Sequence, residues 1–287
     1  MWTRRWLWGL GTLFVLVTMV PLFAAIAWDS RSSSLRQQLD RAAVGVPDLY
    51  STEDLDELPA PVERFFRHVL KEGQPLIRAV DLVTEGQFQT GTTAAGWKSF
   101  TASQRFSTRP PGFVWDAHIQ MAPFMPVYVR DAYVGDHTEM RGNVLGLFPV
   151  VAEAATRDLA AGQLHRYLAE TIWFPTALLP AHHRVFWEAI DATSAIAMIH
   201  DRGVAVSLRF TFTPDGDVRE VFASDRMRAV NGGYEPTPWA VRCNDYQDRQ
   251  GMRIPTWCEA EWRLPEGPQP YWRGRVTNVR YELAVER

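Results

Sequence analysis

The sequence has little lysine, little cysteine and no excess of charge of either sign. Only Lys71 and Lys98 are lysines, so arginine supplies nearly all of the 30 basic residues, and 33 acidic residues bring the net charge to −3. A chain without a basic surplus is not predicted to bind nucleic acid. The two cysteines have no histidine near them, and neither a His-Glu-x-x-His nor a Gly-x-Ser-x-Gly motif is present,. We therefore predict no metal site, no cofactor and no enzyme of these classes.

The chain begins with a long uncharged segment. The 23 residues from Trp6 to Trp28 contain no charged side chain. As a helix they would be roughly 35 Å long, more than the ~30 Å hydrocarbon core of a bilayer. We predict that residues 1–28 are a signal anchor holding a single-pass protein in the cytoplasmic membrane with its body outside the cytoplasm. A signal peptide cleaved after Ala27 is the alternative.

The remaining chain divides into a short connector and one large unit. Residues 29–52 are polar with leucines at helical spacing, which predicts a juxtamembrane helix or linker,. We predict that residues 53–287 form a single β-rich extracytoplasmic domain. Within it, apolar residues at helical spacing predict a helix near 62–70 and a second over 157–174,.

After Pro75 the apolar residues recur mainly at every second position. This period is typical of strands with one buried face, as in antiparallel sheets. The predicted fold class is α+β, mainly β: an N-terminal transmembrane helix, then a large curved antiparallel sheet (half-barrel) with one or two packed helices. A closed barrel or a sandwich is the alternative. The predicted strands are 76–90, 97–109, 112–122, 126–135, 138–150, 184–190, 194–201, 203–213, 217–229, 238–249, 252–264 and 271–284.

Several short segments, specific as a set, resemble an uncharacterised bacterial family of membrane-anchored proteins, a domain of unknown function. They are 58–62 (LPAPV), 113–117 (FVWDA), 130–135 (RDAYVG), 173–177 (WFPTA), 236–239 (PTPW), 265–268 (PEGP) and 271–275 (YWRGR). The resemblance covers the body from about residue 55 and implies no activity. The predicted architecture is also similar to the lipoprotein-carrier (LolA-like) half-barrel, which holds acyl chains in its concavity, although a fold does not fix a function.

The two cysteines fall on neighbouring predicted strands. If Gln250-Gly251 is a two-residue hairpin loop, Cys243 lies opposite Cys258, and Trp239 lies opposite Trp262,. In an oxidising compartment the pair would form a cross-strand disulfide. Two small buried thiols are the alternative.

Two aspartates are candidates for chemistry. Asp131 shares a strand face with apolar residues, so its carboxylate needs a partner. A three-residue turn at 135–137 would place Arg141 opposite it, which predicts a structural ion pair in preference to a functional acid. Asp116 is predicted on the wetter face together with His118, where a solvated surface is favoured over an acid/base pair.

An aromatic and charged set suggests a ligand-binding lining. If the second helix plugs the half-barrel, its residues would meet late-chain aromatic residues and an arginine near the mouth. Such a lining suits an acyl chain with an anionic head group, whereas core packing is the simpler explanation. The candidate residues are Tyr167, Glu170, Trp173, Trp239, Tyr271, Trp272 and Arg273.

Three functions remain, in order of preference. The first is a membrane-tethered extracytoplasmic module that binds a lipid or other apolar ligand. The second is a structural or partner-binding envelope protein without a ligand, and the third is a hydrolase that uses Asp131 or Asp116. The first requires an apolar cavity under the sheet, the second a solid core and an exposed apolar patch, and the third two converging acidic groups. The sequence defines no oligomeric state.

Overall fold

A long helix leads into the sheet domain. The computed structural model describes residues 2–45, 48–91, 96–180 and 185–284, with side chains from residue 18 onward. The first helix, α1 (Trp2–Ala42), continues from the uncharged segment into the predicted linker, 29–52, and ends at Ala42. Its second half buries Trp28, Leu35 and Leu39 against the outer face of the sheet. The linker is therefore largely a docked helix. Among the residues whose structure is described, no helix is both long and apolar enough to cross a membrane.

In the described part of the chain, thirteen antiparallel strands form one sheet. Their order across the sheet is β6-β5-β4-β3-β2-β1-β13-β12-β11-β10-β9-β8-β7, so the first and last strands pair at the centre. The strands are β1 Ile77–Gln89, β2 Trp97–Ser107, β3 Gly112–Ala122, β4 Met125–Val134, β5 His137–Val144, β6 Phe148–Glu153, β7 Val185–Ala189, β8 Ser194–Asp201, β9 Val204–Phe212, β10 Val218–Val230, β11 Gly233–Arg249, β12 Met252–Leu264 and β13 Gly267–Leu283.

Every predicted strand is found in the structure, but one of them is divided by a turn and some of the ends differ. The predicted strand 138–150 is two strands, β5 and β6, because Leu145 and Gly146 have φ angles of 54° and 73° and reverse the chain. The strands β11 and β13 begin several residues earlier than predicted. A pattern of alternate apolar residues does not reveal a turn when the turn itself is apolar.

The sheet curls around the helix α3 (Arg157–Glu170). Strands β4 and β10 are seven strands apart in the order, which in a flat sheet would separate them by roughly 33 Å,. Yet the Gln163 Nε2 donates to the β4 carboxylate of Asp131 at 2.6 Å, and the β10 residue Arg226 donates to the carbonyl oxygen of Gly162 at 3.2 Å. Two consecutive residues of α3 therefore contact both halves of the sheet, and the predicted half-barrel is confirmed.

A shorter helix seals one end of the half-barrel. In α2 (Ala60–Val69) the prolines at the start suit the first helical turn, and the buried side chains recur at helical spacing,. Phe65 and Phe66 are fully buried, and the ring of Phe65 lies 5.6 Å from that of Phe212 on β9. The buried hydrophobic residues of α2 belong to the main hydrophobic core, so packing is solid at this end.

Candidate ligand-binding cavity

The concave face of the sheet and one side of α3 enclose a cavity of about 410 Å³. This volume falls within the range of small-molecule sites. Five of the predicted ligand-binding residues line it: Glu170, Trp173, Trp239, Tyr271 and Trp272. Residues of β1, β3, β4, β5, β6, β10, β11, β12 and β13 complete the wall. The side chains of the sheet and of α3 therefore do not fill the concave side of the half-barrel.

The cavity exists because its floor is built from small side chains. Cys258 and Ala260 alternate along β12 with outward-facing residues, and Ala260 lies between Val241 on β11 and Trp272 on β13. Large rings surround this floor. The Trp262 and Tyr271 rings stack with centroids 5.8 Å apart. Because the small floor residues are surrounded by aromatic side chains, the space above them is an apolar cavity.

A glycine fixes the position of one of these rings. A Cβ at Gly274 would lie 2.6 Å from Cζ2 of Trp272, two residues earlier on the same strand. The Trp272 ring therefore lies flat along β13, and its centroid is 5.9 Å from that of Phe100 on β2.

A buried charge network lies at the α3 side of the cavity. Arg166 donates from Nη1 to Asp131 Oδ2 at 2.7 Å and from Nε to Glu170 Oε1 at 2.9 Å. Gln104 donates to the other Glu170 oxygen at 2.8 Å, and the guanidinium lies 4.8 Å from the ring centre of Trp115. Burial raises the pKa of Glu170 above its usual value, although Arg166 and Gln104 oppose the shift. The network holds two carboxylates on one arginine, so any ligand that contacts it meets negative charge.

A second arginine has a different environment. The Arg226 guanidinium lies over the rings of Trp239 and Trp262, 4.5 and 5.1 Å from their centres. Its hydrogen-bond partners are the neutral oxygens of Gly162 and Tyr271, at 3.2 and 3.5 Å. Within the described part of the chain, no carboxylate forms an ion pair with it. The positive charge of Arg226 is therefore available to pair with an anionic group of a ligand.

The strand itself directs Arg226 inward. Between Ala223 and Arg226 the pairing of β10 with β11 shifts register, and such bulges redirect side chains near binding sites. Burial and then the Arg226 charge lower the pKa of the neighbouring His165 to about 4. At neutral pH this imidazole adds no second positive charge.

Two buried polar atoms at the cavity lack partners. Trp173 Nε1 and Gln163 Oε1 have no hydrogen-bond partner among the described residues, and both residues line the cavity. Buried polar groups are nearly always satisfied, so orphaned ones at a cavity point to an occupant. A ligand with both donor and acceptor groups would satisfy them.

One edge of the cavity is closed by a tyrosine. Tyr234, at the start of β11, donates to Glu153 Oε2 on β6 at 3.0 Å, and both residues line the cavity. These strands are eight positions apart in the sheet. A side-chain hydrogen bond therefore connects β6 and β11 across the opening of the half-barrel at this point.

Two of the predicted lining residues lie elsewhere. Tyr167 is buried on the opposite side of α3, where its hydroxyl donates to the carbonyl oxygen of Ser107 at 3.1 Å. Arg273 is on the outer face of the sheet, bonded to Gln87 and 4.4 Å from the ring centre of Trp97. Since neighbouring strand residues point to opposite faces, Trp272 inside places Arg273 outside.

The predicted ion pair between Asp131 and Arg141 is wrong. The turn after β4 has two residues, not three, so Asp131 lies opposite Met140, and Arg141 lies opposite Arg130. A shift of one residue moves a side chain to the other face, and Arg141 is exposed outside,. The true partner of Asp131 is Arg166. Neither Arg166 nor Arg226 was predicted as a cavity residue, although the i,i+4 spacing of Arg166 and Glu170 indicated a pair between them.

Asp116 is on the predicted outer face together with His118, but the prediction that it is solvated is wrong. It is buried beneath α1, where it accepts hydrogen bonds from Trp28 Nε1 at 3.0 Å and from the Ser32 hydroxyl. Asp116 lies opposite Arg130, whereas Asp131 lies opposite Trp115. The two aspartates are therefore on different faces of the sheet and do not converge. Across the described ranges, no group of three metal-ligating side chains comes together either.

The cysteines are joined as a disulfide between β11 and β12, with Cys258 on the cavity floor. The hairpin register is the predicted one, including Trp239 opposite Trp262. The alternating pattern and the two-residue loop determined it without any tertiary information.

We expect the disulfide to stabilise the domain. The Cys243→Ala/Cys258→Ala variant should lose about 2–3 kcal/mol of unfolding free energy, because the link closes a loop of some fifteen residues in the unfolded chain. Urea unfolding measures this. Dithiothreitol should cause a similar loss in the wild type and none in the double variant. Equal stability of the wild type and the double variant, each with and without dithiothreitol, would contradict the expectation.

Comparison with known proteins gives a family and distant structural neighbours. A model described as "Family of unknown function (DUF6920)" matches residues 56–281, and the resemblance to a family of unknown function is thereby confirmed. No curated protein matches the chain.

Similar solved structures include a LolA superfamily protein from Nitrosomonas europaea, with 10% identity, 77% of this chain and 92% of that chain covered, and a TM-score of 0.40. A putative outer membrane lipoprotein-sorting protein domain from Vibrio parahaemolyticus has 7% identity, coverages of 73% and 87%, and a TM-score of 0.37. A DUF1329 family protein from Desulfovibrio piger has 9% identity, coverages of 73% and 88%, and a TM-score of 0.37.

Proposed function

We propose, from the premise that the chain belongs to the DUF6920 family of unknown function, that it is a membrane-tethered extracytoplasmic module that binds an amphiphilic lipid. The observation that carries the proposal is the cavity of about 410 Å³, which is lined by aromatic rings and holds an arginine that has no carboxylate partner among the described residues. An envelope protein without a ligand would be expected to pack its core solid.

The lining favours a ligand with an apolar body and one anionic group. The rings of Trp239, Trp262 and Trp272 and the small floor residues offer apolar contact. Arg226 is positioned to pair with a carboxylate or phosphate, and the buried Trp173 Nε1 is a further donor,. The Asp131–Arg166–Glu170 network carries excess negative charge, so the anionic group of the ligand belongs at the Arg226 side.

Two features support the proposed location. Disulfides persist in oxidising compartments, which agrees with a body outside the cytoplasm,. The uncharged residues 6–28 precede the domain and lie within the continuous helix α1. We propose that this segment anchors the protein in the cytoplasmic membrane.

Native mass spectrometry of the detergent-extracted full-length protein tests the function. We expect a population that carries one lipid-sized adduct, which delipidation removes and an added fluorescent fatty acid replaces. Absence of any adduct together with absence of probe binding would exclude the lipid-binding function and leave a partner-binding envelope protein.

The role of Arg226 gives a sharper prediction. Arg226→Gln should weaken binding of a fluorescent fatty acid about tenfold, because hydrogen bonds to charged groups contribute some 1.5–3 kcal/mol. Binding of the corresponding fatty alcohol should change little. Fluorescence titration measures both.

The matched control is Arg209→Gln. Arg209 also lies over an aromatic ring, 4.8 Å from the centre of Phe222, but it is exposed on the outer face. Equal loss of affinity in both variants, or equal loss for acid and alcohol, would show that Arg226 does not pair with the anionic group.

A further inference from the structure

Two neighbouring hairpin turns carry exposed apolar side chains. The turn between β3 and β4 exposes Phe124 (93%) and Met125, and the turn between β5 and β6 exposes Phe148 (64%) together with Val150. The surrounding segments, 119–129 and 142–152, contain no charged residue. Such a patch on a soluble surface marks an interaction site.

The backbone at both turns is held in a conformation that favours glycine. Phe124 has a φ of 62° and Leu145 a φ of 54°. A bulky apolar residue in the left-handed region costs free energy relative to glycine or asparagine. Phe124 thus holds an exposed ring at a backbone position that glycine would occupy at lower cost,.

The turns lie beside the uncharged part of α1. A Cβ added to Gly146 would lie 3.2–3.3 Å from atoms of Ala24, so the β5–β6 turn touches the helix there. The amide of Leu145 donates to the Pro126 carbonyl at 2.9 Å, which joins the two turns. Leu22, Phe23 and Ile26 of the same helix are exposed. These helix residues and the two turns form one apolar collar.

The position of the collar along α1 indicates what the collar contacts. Ala24 lies four residues before the end of the uncharged segment at Trp28, about 6 Å along a helix,. If residues 6–28 span a bilayer, the β5–β6 turn, which touches Ala24, lies at the level of the headgroups or just below them. The β3–β4 turn is hydrogen-bonded to it and lies beside it. Exposed phenylalanine and methionine without nearby charge suit that layer.

We propose that the β3–β4 and β5–β6 turns insert into the outer leaflet around the anchor, so that the domain docks on the bilayer through this collar. The proposal rests on the proposed membrane anchor. It also orients the cavity: β6 begins in the collar at Phe148 and ends at the cavity lip with Val151 and Glu153. An edge strand thus leads from the lipid surface to the cavity.

Depth-dependent fluorescence quenching tests the docking. Both native cysteines are in the disulfide, so Phe124→Cys in the full-length chain gives a single site for the environment-sensitive dye NBD. The labelled protein is reconstituted in phosphatidylcholine/phosphatidylglycerol vesicles with or without lipids that carry doxyl spin labels. We expect blue-shifted emission, and quenching by doxyl lipids at least about twofold stronger than at a water-exposed site.

Asp136→Cys is the matched control. Asp136 is fully exposed in the turn at the other end of β4, about 30 Å along the strand from Phe124,. Its dye should remain in water and unquenched. Phe148→Cys should behave like Phe124→Cys.

The outcomes separate the anchor from the collar. Release of the protein from the vesicles by alkaline carbonate would disprove the anchor. Retention of the protein with an aqueous, unquenched dye at 124 and 148 would overturn the docking while the anchor stands. Shielded dye without quenching by doxyl lipid would mean that another copy of the chain covers the collar, which also overturns it.

Discussion

Replacing Arg166 by methionine is expected to lower the free energy of unfolding by about 3–5 kcal/mol at pH 7. The substitution removes the only cation bonded to both Asp131 and Glu170 in the described structure and leaves two buried carboxylates facing each other. Methionine retains much of the aliphatic packing, so the loss reports mainly on charge. Chemical denaturation monitored by tryptophan fluorescence measures it.

The pH dependence of this loss has a defined sign. Burial already raises the pKa of Glu170 in the folded wild type. Without Arg166 the shift grows, and a carboxyl whose folded pKa exceeds its unfolded value opposes folding above that folded pKa. The penalty therefore shrinks as the pH falls through the raised pKa towards the ordinary one. The variant should be closer to wild type at pH 5 than at pH 8.

Two further variants make this result specific. Adding Glu170→Gln to Arg166→Met should restore part of the stability at pH 8, because one unpaired charge is gone. Arg67→Met removes the exposed i,i+4 pair with Glu63 on α2 and should leave the stability close to wild type,. A loss at Arg166 that is independent of pH, and that Glu170→Gln does not reduce, would show that packing and not charge is responsible.

Filling the cavity should abolish binding without unfolding the protein. Ala260→Phe places a ring on the cavity floor between Val241 and Trp272. We expect the affinity for a fluorescent fatty acid to fall at least about tenfold, equivalent to some 1.4 kcal/mol or more. Thermal stability should hold, since phenylalanine suits a strand and fills empty volume. Fluorescence titration and thermal melting measure the two effects.

Matched variants guard against a general effect of the added ring. Ala205→Phe makes the same change on the outer face of β9, where Ala205 is exposed, and should leave binding unchanged. Ala229→Trp adds bulk at the exposed rim of the cavity and should also weaken binding. Full binding by Ala260→Phe in a folded protein would show that the ligand lies outside the cavity.

Much of the sheet could be predicted because strand periodicity is local. Alternation placed the strands and the faces of Trp239, Trp262 and Cys258, and a two-residue loop was enough to pair Cys243 with Cys258. The same reasoning failed at Asp131, where a loop one residue shorter than assumed exchanged Arg141 for Met140. Register predictions are therefore only as good as the residue count of the turn.

The sequence by itself determined the uncharged leading segment, the antiparallel strands with their inner and outer faces, and the hairpin that carries the disulfide. Each depends on residues close together in the chain. Only the tertiary structure decided that Arg166 pairs with Asp131, that Arg226 lies over two tryptophan rings, and that Tyr167 points away from the cavity. Those contacts depend on how strongly the sheet curls and which side of α3 it meets, and curvature is the sum of many small twists that no local pattern encodes.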